Sequence, residues 1–309
     1  MFFLKKADVR KAAELEEESP NPNESDLELT HVDRYEILAP IGSGGMGTVY
    51  KAIDRERDMT VAIKVLDRRY DLDKKRRKRD YLGREVLIAA GLNHENIIRM
   101  SKEIIEQEDT KGHVRRCLLM EYIDGDNLRY FINNRTLAVS QMIDLCIKLA
   151  HGLDFLHQKG IVHKDVKPEN FLFSRDMKKV KVVDFGLSKS ASSWRSRWFR
   201  DKGGTRRYMA PEQLAKQNVD FRSDIFSFGI TMYELFSGRH PCNGKDTLEI
   251  QKQLRSKNYK FEPPSKYNRD IPPQLDRIIL KALRRSPENR YQSVTEMLMD
   301  LTRTAESRI

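Results

Sequence analysis

Cysteine is scarce in this chain, and long apolar runs are absent. The three cysteines, Cys117, Cys146 and Cys242, are odd in number and far apart, so the sequence shows neither a disulfide framework nor a zinc-ligand spacing. No apolar run approaches the length that crosses a bilayer, and residues 1–4 are followed at once by two lysines rather than by a signal-peptide core. We therefore expect a cytoplasmic protein with no membrane span in this chain.

Charge is distributed unevenly along the sequence. The net charge is +11, but residues 1–34 hold five basic and nine acidic side chains, so the remaining 275 residues carry about +15. A basic surface favours acidic protein substrates or polyanions. Nucleic acid is the minor alternative, because the aromatic residues show no stacking pattern. Prolines and asparagines at 20–23 interrupt the acidic segment, which we expect to be a flexible N-terminal tail.

Two short stretches bring four polar side chains to neighbouring loops. His163–Asn170 reads H-K-D-V-K-P-E-N, and Asp184–Gly186 reads D-F-G directly behind an apolar strand. The side chains are two carboxylates, a lysine and an amide: Asp165, Asp184, Lys167 and Asn170. Phosphoryl transfer from a nucleotide needs this set. One carboxylate accepts the proton of the attacking hydroxyl, the lysine steadies the phosphoryl group, and the amide oxygen and the second carboxylate hold magnesium.

A glycine-rich stretch lies upstream of these loops. Residues 41–49 read I-G-S-G-G-M-G-T-V, and glycines let the backbone pass close to phosphates. Dinucleotide-binding folds place a helix directly after a similar string, but Thr48–Ile53 alternates and is rich in β-formers, so we predict a hairpin. A P-loop is excluded, because no Gly-Lys-Ser/Thr follows the glycines. The next predicted strand, Val61–Lys64, ends in a lysine.

Taken in this order, the motifs resemble the glycine-rich loop, catalytic loop and metal-binding triplet of protein kinases. The resemblance covers residues 35–302, and its details look closest to bacterial Hanks-type serine/threonine kinases. It implies an α+β, bilobal fold, with a β-rich small lobe containing one key helix at residues 35–123 and a larger, mainly helical lobe at residues 124–309. A helix over 140–158, with Ser140 as N-cap and Gly160 as stop signal, suits the larger lobe.

The resemblance also implies the ligands, which are ATP and Mg²⁺, with Mn²⁺ as the alternative ion. Asn170 and Asp184 would hold the metal. Lys64 would contact the α- and β-phosphates and pair with Glu85 on a helix over Tyr81–Leu92. The residues around the nucleotide would be Ile41, Gly42, Ser43, Gly44, Gly45, Met46, Gly47, Val49, Ala62, Lys64, Met120, Glu121, Ile123, Asp126 and Leu172.

Downstream residues resemble the segment of protein kinases that receives the substrate peptide. The stretch 204–212 reads G-T-R-R-Y-M-A-P-E. By resemblance, Thr205 would hydrogen-bond to Asp165 and Lys167, an arrangement of serine/threonine rather than tyrosine kinases. Three further roles are scaffolding ones in the family: a Glu212–Arg290 ion pair, an anchor for the catalytic loop at Asp224, and packing of His163 against Phe185.

Regulation is the least determined property of the sequence. Segment 187–205 carries serines among basic residues and is the expected site of autophosphorylation, for which family resemblance suggests a homodimer. Many family members have arginine before the catalytic aspartate, but this chain has Lys164, which keeps the charge and loses the bidentate fork. Dependence on phosphorylation is therefore open. The basic run at 68–79 is read as a solvated surface, with a polyanion patch or a phosphate receptor as alternatives.

The resemblance implies an ATP-dependent protein serine/threonine kinase. One rival is a pseudokinase scaffold, which requires damage at a catalytic position. All five such positions are intact: Lys64, Asp165, Lys167, Asn170 and Asp184. A second rival is a small-molecule phosphotransferase of related fold. Three residues argue against it, because by resemblance they build the surface that binds a substrate peptide: Thr205, Glu212 and Arg290.

Overall fold

The computed structural model describes residues 29–44, 47–67, 86, 88–134, 136–185, 205–256 and 258–307. The first part is a sheet whose strands are β1 (His31–Val32), β2 (Tyr35–Gly44), β3 (Gly47–Asp54), β4 (Met59–Leu66), β5 (Met100–Glu108) and β6 (Val114–Glu121). The second part contains β7 (Gly125–Asn127), α1 (Leu128–Asn134), α2 (Val139–Gln158), β8 (Phe171–Ser174), β9 (Val180–Val182), α3 (Pro211–Leu214), α4 (Phe221–Ser237), α5 (Thr247–Arg255), α6 (Pro273–Ala282) and α7 (Val294–Glu306).

The small lobe is built on an antiparallel sheet with the strand order β1-β2-β3-β4-β6-β5. The glycine-rich stretch forms the β2–β3 hairpin, in which Gly42 lies opposite Val49 and Gly44 opposite Gly47. The hairpin prediction is therefore confirmed. Gly47 has a φ of +138°, and a Cβ at this position would lie 2.0 Å from the carbonyl oxygen of Val65, so only glycine fits.

The sheet includes residues upstream of position 35, where the resemblance to protein kinases begins. β1 pairs with β2, and Leu29 and Val32 are buried in the same apolar cluster as Tyr35. The last residues of the predicted tail thus pack onto the sheet, whereas residues 1–28 lie outside the described residues. The predicted helix at 81–92 is described only in part. Val86 and residues 88–90 are helical, and the helix ends before Leu92, two residues earlier than predicted.

The larger lobe packs helices around α4, whose residues from Ser223 to Ser237 are buried. α2 lies against both α4 and α7 and buries the apolar stripe that the sequence indicates. The prediction of Ser140 as N-cap is wrong. Ala138 is the N-cap, and its N–H donates to the side-chain oxygen of Gln141 at 2.9 Å, so a side chain inside the helix satisfies the free amide. Gly160 adopts a φ of +71° just past the helix, as expected for a stop.

The lobes are joined by a short parallel bridge next to the predicted metal-binding triplet. The N–H of Val182 donates to the carbonyl oxygen of Asn96 at 2.8 Å, and the N–H of Ile98 donates to that of Val182 at 3.1 Å. The Asn96 side chain adds a bond to the carbonyl oxygen of Val180 at 3.1 Å. These bonds fix β9, and with it the start of the segment that carries Asp184, to the chain leading into β5. No helix within the described ranges combines the length and apolarity needed to cross a membrane.

We predict that Gly152→Ala destabilises the protein, although alanine is the better helix former by roughly 1 kcal/mol. A Cβ at Gly152 would lie 2.8 Å from both the carbonyl oxygen of Asn96 and a methyl carbon of Val182, two groups of the bridge. The free energy of unfolding in urea should fall by about 1–3 kcal/mol. Ser140→Ala, at an exposed position of the same helix, should change it by less than about 0.5 kcal/mol. A Gly152→Ala protein as stable as the wild type would refute this packing.

Candidate active site

One buried carboxylate anchors the backbone of the loop that carries the predicted catalytic residues. Asp224 lies on α4 and is 1% exposed. Its Oδ2 accepts the N–H of His163 and its Oδ1 the N–H of Lys164, both at 2.7 Å. Lys164 has a φ of +66°, a conformation that costs free energy for a residue with a Cβ. The two charge-assisted bonds stabilise this turn and direct the following residue, Asp165.

Two residues that the sequence analysis did not single out complete the anchor. His157 donates from Nε2 to Oδ2 of Asp224 at 2.8 Å. Gln213 donates from Nε2 to the carbonyl oxygen of Lys164 at 3.1 Å. The peptide groups on both sides of Lys164 are thus fixed. No sequence signal marks His157, which ends an apolar helical stripe, and Gln213 could be found only as the neighbour of Glu212.

Asp165, Lys167 and Asn170 come together as one polar cluster. Asp165 and Asn170 are both buried. The Lys167 Nζ lies 3.3 Å from Oδ2 of Asp165. The Asn170 amide donates to the carbonyl oxygen of Asp165 at 2.7 Å and to its Oδ2 at 3.2 Å. One lysine and one amide therefore set the orientation of the Asp165 carboxylate.

Asp184 reaches this cluster through the backbone. The N–H of Val183 donates to the carbonyl oxygen of Asn170 at 3.0 Å, so the two predicted metal ligands are on hydrogen-bonded neighbouring segments. The His163 ring donates from Nε2 to the carbonyl oxygen of Val183 at 3.0 Å and meets the Phe185 ring edge-on, with 6.4 Å between centroids. Asp184 itself has a φ of +60°, a further unfavourable conformation maintained by its surroundings.

Lys64 pairs with Asp184 in this structure. The distance from Nζ to Oδ1 is 2.5 Å, and Lys64 is buried in the sheet, opposite Val49 of the glycine hairpin. Glu85, the partner expected from the sequence, lies outside the described residues, so the Lys64–Glu85 pair stays a prediction. The ion pair brings the small lobe's lysine to the larger lobe's carboxylate.

The donor set suits a hard divalent cation. Asn170 uses its amide N–H groups on Asp165, which leaves the amide oxygen as its atom for a ligand. Asp184 supplies carboxylate oxygens. Mg²⁺ is bound in proteins by one or two such oxygens together with water and phosphate. These residues therefore fit the metal that the family implies.

The predicted nucleotide-contacting residues that the structure describes come from both lobes. Ala62 is buried and lies opposite Met120 in the sheet, while Leu172 belongs to β8 beneath. The Glu121 side chain pairs with Lys181 at 2.8 Å, and its N–H donates to the carbonyl oxygen of Arg99 at 3.0 Å, so a base could meet only its carbonyl oxygen. Of the other predicted contacts, the described residues are Ile41, Gly42, Ser43, Gly44, Gly47, Val49, Ile123 and Asp126, and those outside are Gly45 and Met46.

The substrate-side segment is secured by a buried ion pair. Arg290 donates through two nitrogens to the two carboxylate oxygens of Glu212, both at 2.7 Å. Its remaining N–H groups donate to the carbonyl oxygens of Arg284, Arg222 and Arg285. All five donors of this guanidinium are satisfied. Burial alone would raise the pKa of Glu212, but the hydrogen bonds and charge of Arg290 lower it below its usual range.

Arg129 is a further residue that the sequence analysis missed. It links the catalytic loop, the substrate-side segment and α4. Its Nε donates to Glu169 at 3.0 Å, and its Nη2 donates to Glu234 at 3.1 Å and to the hydroxyl of Tyr208. Tyr208 donates to the same Glu234 oxygen at 2.6 Å, and burial raises the pKa of Tyr208 well above the usual value.

Thr205 begins the 3₁₀ turn Thr205–Arg207 just before this segment, and its side chain is not among those described.

We predict that Asp224→Asn lowers the free energy of unfolding by about 1–3 kcal/mol. An amide nitrogen in place of one oxygen would face an N–H donor of His163 or Lys164, and one buried amide would lose its acceptor. Urea unfolding measures the change. Asp144→Asn, on the exposed face of α2, is the control and should leave stability unchanged. An equal effect of both substitutions would contradict the anchoring role.

We predict a pH dependence of stability that arises from Glu212. Its folded-state pKa lies below the ordinary value of 4.5, so the ion pair stabilises the fold above that pH and loses this contribution as pH falls through the folded pKa. Glu212→Gln should cost about 3 kcal/mol of unfolding free energy at pH 7 and progressively less below pH of about 4.5. Glu306→Gln, at an exposed position, is the control. A loss for Glu212→Gln that stays constant with pH would contradict the assignment.

Comparison with known proteins agrees with this geometry. The chain is 36% identical over 277 residues to the serine/threonine-protein kinase PknB of Mycolicibacterium smegmatis, which covers 89% of this chain and 43% of that protein. It is 37% identical over 274 residues to PknB of Mycobacterium leprae, covering 88% of this chain and again 43% of the relative. The chain thus spans about two fifths of the length of these relatives.

Solved structures and a family model give the same result. The crystal structure of the Mycobacterium tuberculosis PknI kinase domain covers 89% of this chain and 98% of its own length, with a TM-score of 0.62 and 26% identity. The model of the protein kinase domain family matches residues 35–300. This chain belongs to the protein kinase domain family.

Proposed function

We propose that this chain is an ATP-dependent protein serine/threonine kinase that transfers the γ-phosphoryl group to hydroxyls of protein substrates. The observation that supports it best is the meeting of Asp165, Lys167 and Asn170 with the Lys64–Asp184 pair. These groups come from both lobes and from distant parts of the sequence. Phosphoryl transfer requires this combination, because its catalysis consists of positioning and charge stabilisation.

Asp165 is the proposed base. Its carboxylate is fixed by Asn170 and lies 3.3 Å from the ammonium group of Lys167. It would orient the substrate hydroxyl and accept its proton. Lys167 would then hold negative charge on the phosphoryl oxygens while staying beside Asp165. The burial of Asp165 limits the number of waters that can compete with the substrate hydroxyl.

Lys64, Asn170 and Asp184 are the proposed nucleotide-holding groups. Lys64 would turn from Asp184 toward the α- and β-phosphates, which leaves the carboxylate for the metal. A bound divalent cation would neutralise part of the phosphate charge. We propose Mg²⁺, with Mn²⁺ as the alternative. The glycine hairpin would cover the phosphates with backbone N–H groups, and Glu85 would hold Lys64 from the helix.

The serine/threonine preference rests on Thr205 and Lys167 and on the names of the relatives, which are serine/threonine-protein kinases. The basic charge outside the tail supports acidic substrates. We further propose autophosphorylation within segment 187–205, a homodimer in which one copy modifies the other, and a cytoplasmic location. The proposed division is a tail at 1–34, whose residues from Leu29 onward pack onto the sheet, a small lobe at 35–123 and a larger lobe at 124–309.

We predict that Asp165→Asn lowers kcat roughly 10²–10⁴-fold, the loss expected when a general base is removed. Nucleotide affinity should be unchanged, since Lys64 and Asp184 are intact. Turnover is measured with radiolabelled ATP and generic protein substrates, and affinity with a fluorescent ATP analogue. The control is Asp144→Asn, an equal change at an exposed position of α2, which should retain full turnover. Undiminished turnover of Asp165→Asn would refute the role of this residue.

A further inference from the structure

A large cavity lies in the outer part of the larger lobe, apart from the catalytic cluster. Its volume is about 1070 Å³, and its walls come from the end of α5, the segment after it, and the segment that follows α6. The start of α3, Pro211 and Glu212, forms another wall. The cavity therefore borders the segment that would receive a substrate peptide.

Four cations line this cavity: Arg255, Lys260, Arg284 and Arg285. None of the four has an ion-pair partner within the described part of the chain. The wall also holds two carboxylates. Both oxygens of Glu212 are occupied by Arg290, and Glu288 accepts a hydrogen bond from Ser286. The cavity thus keeps an excess of positive charge that its own acidic residues leave uncompensated.

Arg285 is half-buried, whereas the other three cations are exposed. Its Nη2 donates to the carbonyl oxygens of Tyr259 and Gln253, and its guanidinium lies 4.9 Å from the centre of the Phe261 ring. Its Nε is buried and has no hydrogen-bond partner among the described residues. Burial lowers the pKa of Arg285, and no carboxylate offsets that effect. A partly desolvated guanidinium without an acid is stabilised when a ligand supplies the anion.

The contrast with neighbouring arginines makes this position distinctive. Arg290, five residues along, has every N–H satisfied and a bidentate carboxylate. Arg129 has two carboxylates and Arg222 has Asp220. These three arginines each pair with an acid, whereas Arg285 has none among the described residues and faces a cavity lined by other cations.

We propose that this cavity is a docking site for an acidic segment of protein substrates, with Arg285, Arg284 and Lys260 binding its carboxylates. The volume of the cavity is at the upper end of the range of small-molecule sites, which leaves room for a peptide segment. Its walls combine cations with apolar groups such as Pro211, Leu283 and Phe261, which suits a peptide carrying acidic and apolar side chains. The inference rests on the proposed function, since it names the class of substrate that the kinase would hold.

Binding is tested first, on the full chain and without turnover. The probe is a fluorescein-labelled ten-residue peptide of glutamate and leucine, which has no hydroxyl side chain. Lys260→Glu/Arg284→Glu changes two exposed cavity residues and spares Arg285, which holds backbone carbonyls. Fluorescence anisotropy should show affinity reduced about tenfold or more. Arg269→Glu/Arg277→Glu makes the same charge change at exposed positions that do not line the cavity and should reduce affinity less than about threefold.

Two binding results would overturn the proposal. Equal losses in both double variants would mean that the peptide responds only to the overall charge of the protein. Displacement of the peptide by low millimolar inorganic phosphate, beyond the effect of sodium chloride at the same ionic strength, would assign the cavity to a small phosphate ligand. Thermal unfolding midpoints of the variants within about 2 °C of the wild type show that each is folded.

Kinetics then separate docking from catalysis. Two peptides share one serine acceptor, and the acidic segment of the first is replaced by glutamine in the second. In Lys260→Glu/Arg284→Glu, KM for the acidic peptide should rise about tenfold with kcat unchanged, and both constants for the neutral peptide should stay the same. Turnover with an unchanged KM would reject the docking site and leave the proposed function intact. Failure of every variant, including the wild type, to phosphorylate either peptide would reject the proposed function, while the anisotropy result still decides whether acidic peptides bind the cavity.

Discussion

The rest of the site depends on the buried carboxylate of Asp224. It accepts the N–H groups of two successive residues, His163 and Lys164, at 2.7 Å each, and so fixes a turn that has a positive φ at Lys164. Gln213 holds the carbonyl of the same residue from the substrate side. A strained turn persists only when its surroundings over-determine it. Here the turn places Asp165 beside Lys167 and Asn170. The hydrogen bonds from Asp224 and Gln213 in the helical lobe offset the strain of this turn.

A second constraint is the bridge between the lobes. β9 is hydrogen-bonded to the chain entering β5 through Asn96, and Val183, the residue after β9, is hydrogen-bonded to the catalytic loop through Asn170. Asp184 lies two residues past the end of β9, so its position is determined from both lobes. Its Oδ1 lies 2.5 Å from the Nζ of Lys64, so this ion pair joins the sheet of the small lobe to the larger lobe.

Much of the architecture could be predicted, because its motifs are local in sequence. The glycine hairpin followed from alternation after the glycines, and the partners of Asp224 and Arg290 followed from family resemblance. The sequence could not identify His157, Gln213 or Arg129, since each acts through contacts with residues 40 to 105 positions away. Ser140 was wrong as an N-cap because the Gln141 side chain reaches back to Ala138. The cation excess around Arg285 arises from segments that are close only in the fold.

The central claim is that these groups form one centre for phosphoryl transfer to serine and threonine hydroxyls of proteins. Phosphoamino-acid analysis tests it most directly, after the full chain is incubated with radiolabelled ATP, magnesium and a mixture of acidic and basic proteins. The account predicts labelled phosphoserine and phosphothreonine in protein. Label confined to phosphotyrosine or to small hydroxyl compounds, or no transfer at all, would contradict it.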